Sequence, residues 1–388
     1  MRDFWTEQIQ SQQKIKYRKL ALLIGILLII ISIIIMIFVY IYNTNFRKWC
    51  DKNILGKEIS QENTKSIDIE EGENVQVYAY EKYICVLRKK KLEYYNKLGT
   101  KVDSIDIDIN NAVFTSAGRY MAISEKDGQK FYLICGKEKI YEEKIEGNIS
   151  QINVSRNGYV SLVILNTSYK TVVDIYDQKG TEVFKTNLVT SVVADVSISN
   201  DSKYLAIAEV DMSGILIKSS IQVVSIESAK MLYKYEAPTD KLIINISYQE
   251  QNNIVCMYND SIDLLQGQES KEIINVKNQD ISFMTINLSN RVALLKEIST
   301  GEYTSDTNVN IINPITSKKK EYNVNDIAKA VKASDNKIAI NFGTELHIID
   351  SNGFLIKNYK SETEINDIVI TDSLVGVVYR DKIQIINL

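Results

Sequence analysis

The groups that could carry chemistry are sparse. The 388 residues include one histidine, His347, and four cysteines, at 50, 85, 135 and 256. A single imidazole nearly excludes His-based triads, His-rich zinc sites and haem ligation by histidine. His347 lies in ELHIID, a strand pattern with neither a serine elbow nor a cysteine partner beside it, so a structural or pore-facing role is expected. No CxxC occurs, and no two cysteines stand at metal-ligand spacing. Asp103, Asp106 and Asp108 cluster in VDSIDIDIN. A calcium site needs oxygens converging from a tight loop. Here Asp106 and Asp108 alternate with isoleucine, as one solvated face of a strand would. The run Arg88–Lys91 could touch anionic lipid or wall polymer, but it reads as a solvated hairpin tip and is too short, and too poor in aromatics, for nucleic acid. Asn148-Ile-Ser and Asn166-Thr-Ser match glycosylation acceptors, matches that come cheaply in an Asn-rich chain. No catalytic, cofactor-binding or metal-binding residue emerges.

The elements that would position such groups repeat. A large apolar residue, a small one and another large one recur after polar turns: Cys85 in EKYICVL, Ala122 in GRYMAIS, Ser161 in GYVSLVI, Ala206 in KYLAIA, Cys256 in NNIVCMY, Ala293 in NRVALLK, Ala339 in NKIAINF and Gly376 in SLVGVVY. The gaps are 37, 39, 45, 50, 37, 46 and 37 residues, with a mean of about 42, the length of a four-stranded propeller blade. Large-small-large describes a strand packed on both faces, whose small side chain lets neighbouring sheets approach. Cys85 and Cys256 then read as buried free thiols. Downstream of the small residue, VVDIYDQKGTEVF, IQVVSIESAKMLY and LHIIDSNGFLIKN read as third and fourth strands joined by a hairpin. KFYLICGKEKIYEEK, residues 130–144, does the same with Cys135 on its third strand.

The last unit, ending in KIQIINL, lacks a fourth strand, and KSIDIE ahead of the first unit is the expected donor. Pairing the two ends would close the ring and remove its exposed edges. The expected fold is all-β, a propeller of about eight four-stranded blades. Seven blades plus a terminal hairpin is the alternative.

On this periodicity, over about residues 60–388, the chain resembles the β-propeller superfamily in the broad WD-repeat and quinoprotein-like sense. With its N-terminal apolar segment it is similar to single-pass, membrane-anchored propeller proteins of Gram-positive bacteria. The resemblance transfers no site. No Trp-Asp dipeptide ends a blade, and Trp5 and Trp49 both lie outside the repeats. Quinoprotein-like blades usually carry tryptophan docking motifs, so the resemblance implies no such cofactor here.

Leu20 to Tyr42 is 23 residues without a charge. At about 1.5 Å per residue it would cross a hydrocarbon core with some tilt. It is too long for a signal peptide, and no small-x-small site follows it. Tyr40, Tyr42, Phe46 and Trp49 resemble an interfacial aromatic belt. Arg2, Lys14, Lys16, Arg18 and Lys19 precede the span, and the cluster abuts it on that side, so the N-terminus is expected in the cytoplasm and the bulk of the chain outside. With five basic and two acidic residues in the first 42, the remainder carries −6 of the net −3, and nothing gives a nucleic-acid footprint. The expected layout is a cytoplasmic stretch 1–19, a transmembrane helix 20–42, a linker 43–62 and a propeller 63–388.

Two connections between second and third strands are longer than their equivalents, Glu209–Ser220 and Lys296–Asn308. Loops held on a rigid scaffold commonly carry binding, and Asp211, Met212, Tyr303 and Asp306 are the candidate contacts. The reading that follows is a non-enzymatic scaffold at the cell envelope, with the bilayer bound through 20–42 and an envelope protein or wall polymer as partner. A ligand-binding sensor or enzyme with its site in the central channel is the alternative.

Overall fold

The computed structural model describes residues 2–61, 64–165, 167–301 and 305–388. It forms two compact units, Met1–Glu58 and Ile59–Leu388. The expected boundary between linker and ring, at residues 62 and 63, lies outside the described residues, as does Asn166 of the second glycosylation match.

In the first unit, one helix, Arg2–Tyr42, carries the apolar stretch Leu22–Tyr42, with a mean hydropathy of 3.5 and none of it buried. Such a helix is long and apolar enough to cross a membrane. A second helix, Thr44–Asn53, starts at Asn43, whose side chain accepts the N–H of Phe46, satisfying one of the orphan donors of a helix start. Tyr40 donates to Asp51 Oδ1 at 2.6 Å, and Lys57 Nζ lies 2.7 Å from the same oxygen. Tyr40 is therefore held in this cluster, while Tyr42 and Trp49 stay exposed.

The second unit contains eight sheets of at least four antiparallel strands. Seven blades run continuously along the chain: Gln76–Asp106, Ala112–Lys144, Asn148–Leu188, Ser191–Glu236, Ile243–Asn275, Ile281–Val324 and Ala330–Lys360. The seventh is lengthened by a short strand, Glu58–Ser60, beside Leu355–Lys360. The eighth has three strands from the C-terminus, Asp367–Ile370, Leu374–Val378 and Lys382–Asn387, and takes its fourth, Lys65–Asp68, from ahead of the first blade. Lys65 pairs with Ile385, Ser66 with Gln384, Ile67 with Ile383 and Asp68 with Lys382. The ring thus closes as an eight-bladed propeller by the expected donor strand, which covers the edge the last blade would expose.

Among the described residues, the buried apolar side chains fall into eight clusters, each shared by two adjacent blades. The eighth joins Ile67, Ile383 and Leu374 of the last blade to Ala79, Ile84 and Val86 of the first. No blade keeps a core of its own. Strand alternation divides each second strand between two interfaces: Leu205 and Ile207 face the third blade, Ala206 and Ala208 the fifth.

The small residues sit where adjoining sheets come closest. Cys85, Ala122, Ser161, Ala206, Ala293 and Ala339 are all fully buried. At Gly376 an added Cβ would lie 2.8 Å from Val369 Cγ2 and 3.1 Å from Ile84 Cδ1 of the first blade. Cys256 is the exception and corrects the alignment by one residue. Ser247 pairs with Val255, as Ser197 pairs with Ala206. Val255 therefore fills the fifth blade's slot and faces the sixth, while Cys256 points back to the fourth. The turn before it, with Gln251 and Asn252 at φ of 59° and 58°, displaces the phase. Both cysteines are nonetheless buried free thiols, and burial pushes each well above the ordinary thiol range.

Candidate functional site

Two surfaces of the ring carry groups not consumed by the interblade cores: the channel at its axis and the face bearing the turns from second to third strands. The channel wall is the set of first strands, and side chains tie it together sideways. Gln76 Oε1 accepts the N–H of Ala112 at 2.6 Å. Gln151 Nε2 donates to the carbonyl of Ala194 at 2.7 Å, and Asn153 Nδ2 to that of Val196 at 3.2 Å. Asp195 Oδ2 accepts the N–H of Ile246, and Ser197 Oγ that of Tyr248. Each bond satisfies backbone that the propeller geometry leaves unpaired between blades.

Burial pushes the Asp195 carboxyl up to about 6, against the pull of the Ile246 and Val196 N–H groups. The folded state therefore holds this proton more tightly than the unfolded chain, whose value is near 3.8. Its stabilising contribution is fully present below the unfolded value and is lost as pH rises through about 6. Asp195→Asn removes that dependence. In urea unfolding at a series of pH values, the wild type should lose roughly 2 kcal/mol relative to the variant between pH 4 and pH 7. A difference that stays constant with pH would refute the buried carboxylate.

At the end of the channel where the turns from first to second strands converge, a cavity of about 1010 Å³ opens. Arg156, on the third blade, reaches Asp335 Oδ1 of the seventh at 3.2 Å. These blades are four apart in a ring of eight, so the ion pair crosses the mouth. Asp335 is also tied to the sixth blade, its carbonyl accepting the N–H of Ser289 at 2.7 Å. Beside it, burial and then the Asp335 charge raise the Asp372 carboxyl. The mouth is polar, and these charged groups are engaged with one another.

The chemically suggestive residues resolve as structure. His347 lies on the third strand of the seventh blade, away from the channel wall, with Nδ1 2.8 Å from Tyr322 Oη of the sixth blade. Asp103 pairs with Lys137, Asp106 with Lys91, and Asp108 with Lys90 and Lys130. Lys89 and Lys90 form the left-handed tip of a two-residue hairpin, as the sequence predicts. Arg88 does not share its solvation, because its guanidinium turns inward to Glu73 and Tyr95.

The opposite face holds the long hairpins, shorter as loops than the sequence predicts. On the fourth blade pairing continues to Asp211↔Lys218, so the loop is 212–217. On the sixth it continues to Ser299↔Ser305, and 302–304 between them lie outside the described residues. The alternating residues at both roots extend the ladder. Asp306 consequently belongs to a strand, paired with Ile298, and Tyr303 lies outside the described residues. The fifth blade separates the two hairpins, so Asp211 and Met212 do not cluster with Asp306.

Asp211 and Met212 mark the root of the fourth-blade tip. Asp211 Oδ1 accepts the N–H of Ser213 at 2.9 Å. The Ser213 hydroxyl, then that N–H, then Lys170 and Lys218 hold its carboxyl below the ordinary range. Beneath lies a buried polar belt, with Ser191 Oγ donating to Glu209 Oε2 at 3.0 Å and Ser219 Oγ accepting the N–H of Ile243. Above it, Met212 is 50%, Leu216 60% and Ile217 52% exposed, and Ile215 is fully so. Loop length alone does not disclose this apolar tip. The run Ile215-Leu216-Ile217, with no polar residue in alternation, is the signal in the sequence that points to it.

A model described as a family of unknown function (DUF5711) matches residues 57–388. No curated protein matches the chain. Among solved structures, it is similar to BamB from Moraxella catarrhalis, at 10% identity over 84% of this chain and 100% of that one, with a TM-score of 0.49. It is also similar to apo AztD from Citrobacter koseri, at 10% identity over 78% and 89%, with a TM-score of 0.48. A third is the β-propeller domain of Cps50 (Swd1) from Myceliophteria thermophila, at 11% identity over 83% and 98%, with a TM-score of 0.44.

Proposed function

The chain belongs to that family of unknown function, and we propose that the protein is a membrane-anchored, extracytoplasmic interaction module of the cell envelope with no catalytic role. Residues 20–42 cross the bilayer, 1–19 remain in the cytoplasm, and 63–388 stand outside as the ring, joined by the linker 43–62. The observation that carries this is the fourth-blade tip, where Met212, Ile215, Leu216 and Ile217 are exposed together on a closed scaffold. Each such side chain gains roughly 1.5–3 kcal/mol when a partner surface covers it fully, and a rigid ring loses little freedom in presenting it. Asp211 and Met212 are the first proposed contacts. Asp306, on the sixth blade, and Tyr303 are the second.

A photoreactive amino acid at Met212, in intact cells, tests this. Leu98 is the control, since it is exposed and lies on a turn from third to fourth strand, at the other face of the ring. A discrete adduct is expected from 212 and none from 98. Equal yields at the two positions would remove the docking role.

A further inference from the structure

We propose that the surface covered by the fourth-blade tip is the lipid bilayer in which the chain's own helix sits, so that the ring is held to the membrane at two points. This rests on the reading of the tip as a docking element and names what it docks on. Four observations favour lipid.

The first is chemistry. Between Asp211 and Lys218 the loop reads Met-Ser-Gly-Ile-Leu-Ile, with no charge and no aromatic, and the N–H of Ser213 is already taken by Asp211. Protein-binding hot spots are enriched in tryptophan, tyrosine and arginine. An aliphatic knob with nothing to read a specific partner suits an acyl boundary. The second is breadth. Val189, in the connection from the third to the fourth blade, is 71% exposed, and Tyr169, on the third blade's second-to-third connection, is also exposed. Both connections lie on the same face as the tip. A partner's pocket would cover one knob, whereas a plane covers them all.

The third is charge. Lys170 and Lys218 are exposed at the root of the tip and outnumber the Asp211 carboxylate beside them. When the apolar end lies about 5–10 Å below the headgroups, basic groups at its root stand at the level of the phosphates. The fourth is reach. From Tyr42 the chain runs through the helix Thr44–Asn53 and residues 54–58 before the ring begins. At about 1.5 Å per helical residue and 3.4 Å per extended one, that is a tether of roughly 35 Å at most. The ring cannot leave the neighbourhood of the membrane.

The test uses the full chain in lipid nanodiscs containing phosphatidylglycerol. Cys135, which is less buried than the other three thiols, is first changed to serine. An environment-sensitive NBD label is then placed by Ile215→Cys and, in a second sample, by Leu98→Cys. Both positions are exposed, so neither label disturbs folding. The 215 label should shift to the blue and be quenched at least threefold more strongly than the 98 label by lipids spin-labelled on the acyl chain. Ile217→Asp together with Leu216→Asp should abolish that difference. Equal quenching at 215 and 98 overturns the bilayer as the covering surface. If 212 nevertheless forms a protein or polymer adduct in cells, the docking role stands with a different occupant. If it forms none, both readings fall.

Discussion

A chain carrying Ile67→Asp is expected to lose about 4 kcal/mol of stability or more. Ile67 is 4% exposed and pairs with Ile383 in the strand that completes the last blade. It packs with Val369, Leu374 and Ile383 of its own blade and with Ile84 and Val86 of the first. Removing a buried isoleucine forfeits roughly 2–5 kcal/mol, and an uncompensated charge in its place adds a penalty of similar size. The variant opens the ring between its first and last blades and exposes the edge of Lys382–Asn387 to pairing with another chain. Urea unfolding of wild type, Ile67→Asp and Leu98→Asp measures this. The last, an exposed turn position, should fall within about 0.5 kcal/mol of wild type. If the two variants are equally stable, closure by the N-terminal strand contributes nothing.

The second large effect lies between the fourth and fifth blades. Lys241 reaches from the connection into the fifth blade, its Nζ 3.0 Å from Asp263 Oδ2 and 2.7 Å from Ser261 Oγ. Both charged side chains are withdrawn from water, Asp263 with 6% of its side chain exposed. Burial by itself would lower the Lys241 ammonium, but Asp263 more than offsets it, and the pKa is raised. Lys241→Ala leaves the buried carboxylate without a counter-charge, held only by the Ser261 and Ser270 hydroxyls, at a cost of about 3 kcal/mol. Lys241→Met with Asp263→Leu should recover most of that loss, because replacing a buried pair by apolar groups of similar volume is close to neutral. A double variant as unstable as Lys241→Ala would mean the cost comes from lost packing, not from a stranded charge.

Much of this architecture can be read from residue order. The large-small-large phrase works because its middle residue touches a neighbouring sheet, a constraint on volume that recurs once per blade and survives the change from Ala206 to Gly376. The donor strand was visible because the final unit stops one strand short. What stayed hidden depends on phase and on partners remote in sequence. Cys256 looks like Cys85, but the left-handed pair Gln251–Asn252 turns the next strand over by one residue. Arg88 reads as part of a basic tip until Glu73, fifteen positions back, is placed beside it. Gln76, Asn153 and Asp195 carry no local signature at all, since their acceptors and donors belong to the following blade. The site was half legible. Length singled out the two hairpins, but the ladder through Asp211↔Lys218 shows that the exposed feature is six residues with an aliphatic end.

The place where the chain enters the ring has a mechanical consequence. Tension on the N-terminal segment does not reach an arbitrary loop. It arrives first at Glu58–Ser60, laid along Leu355–Lys360, and then at Lys65–Asp68, laid along Lys382–Asn387. Load is thus shared by two successive β-ladders on neighbouring blades, and a pull must detach the first before it works on the second. The latch that shuts the circle is guarded by a sacrificial clasp upstream of it.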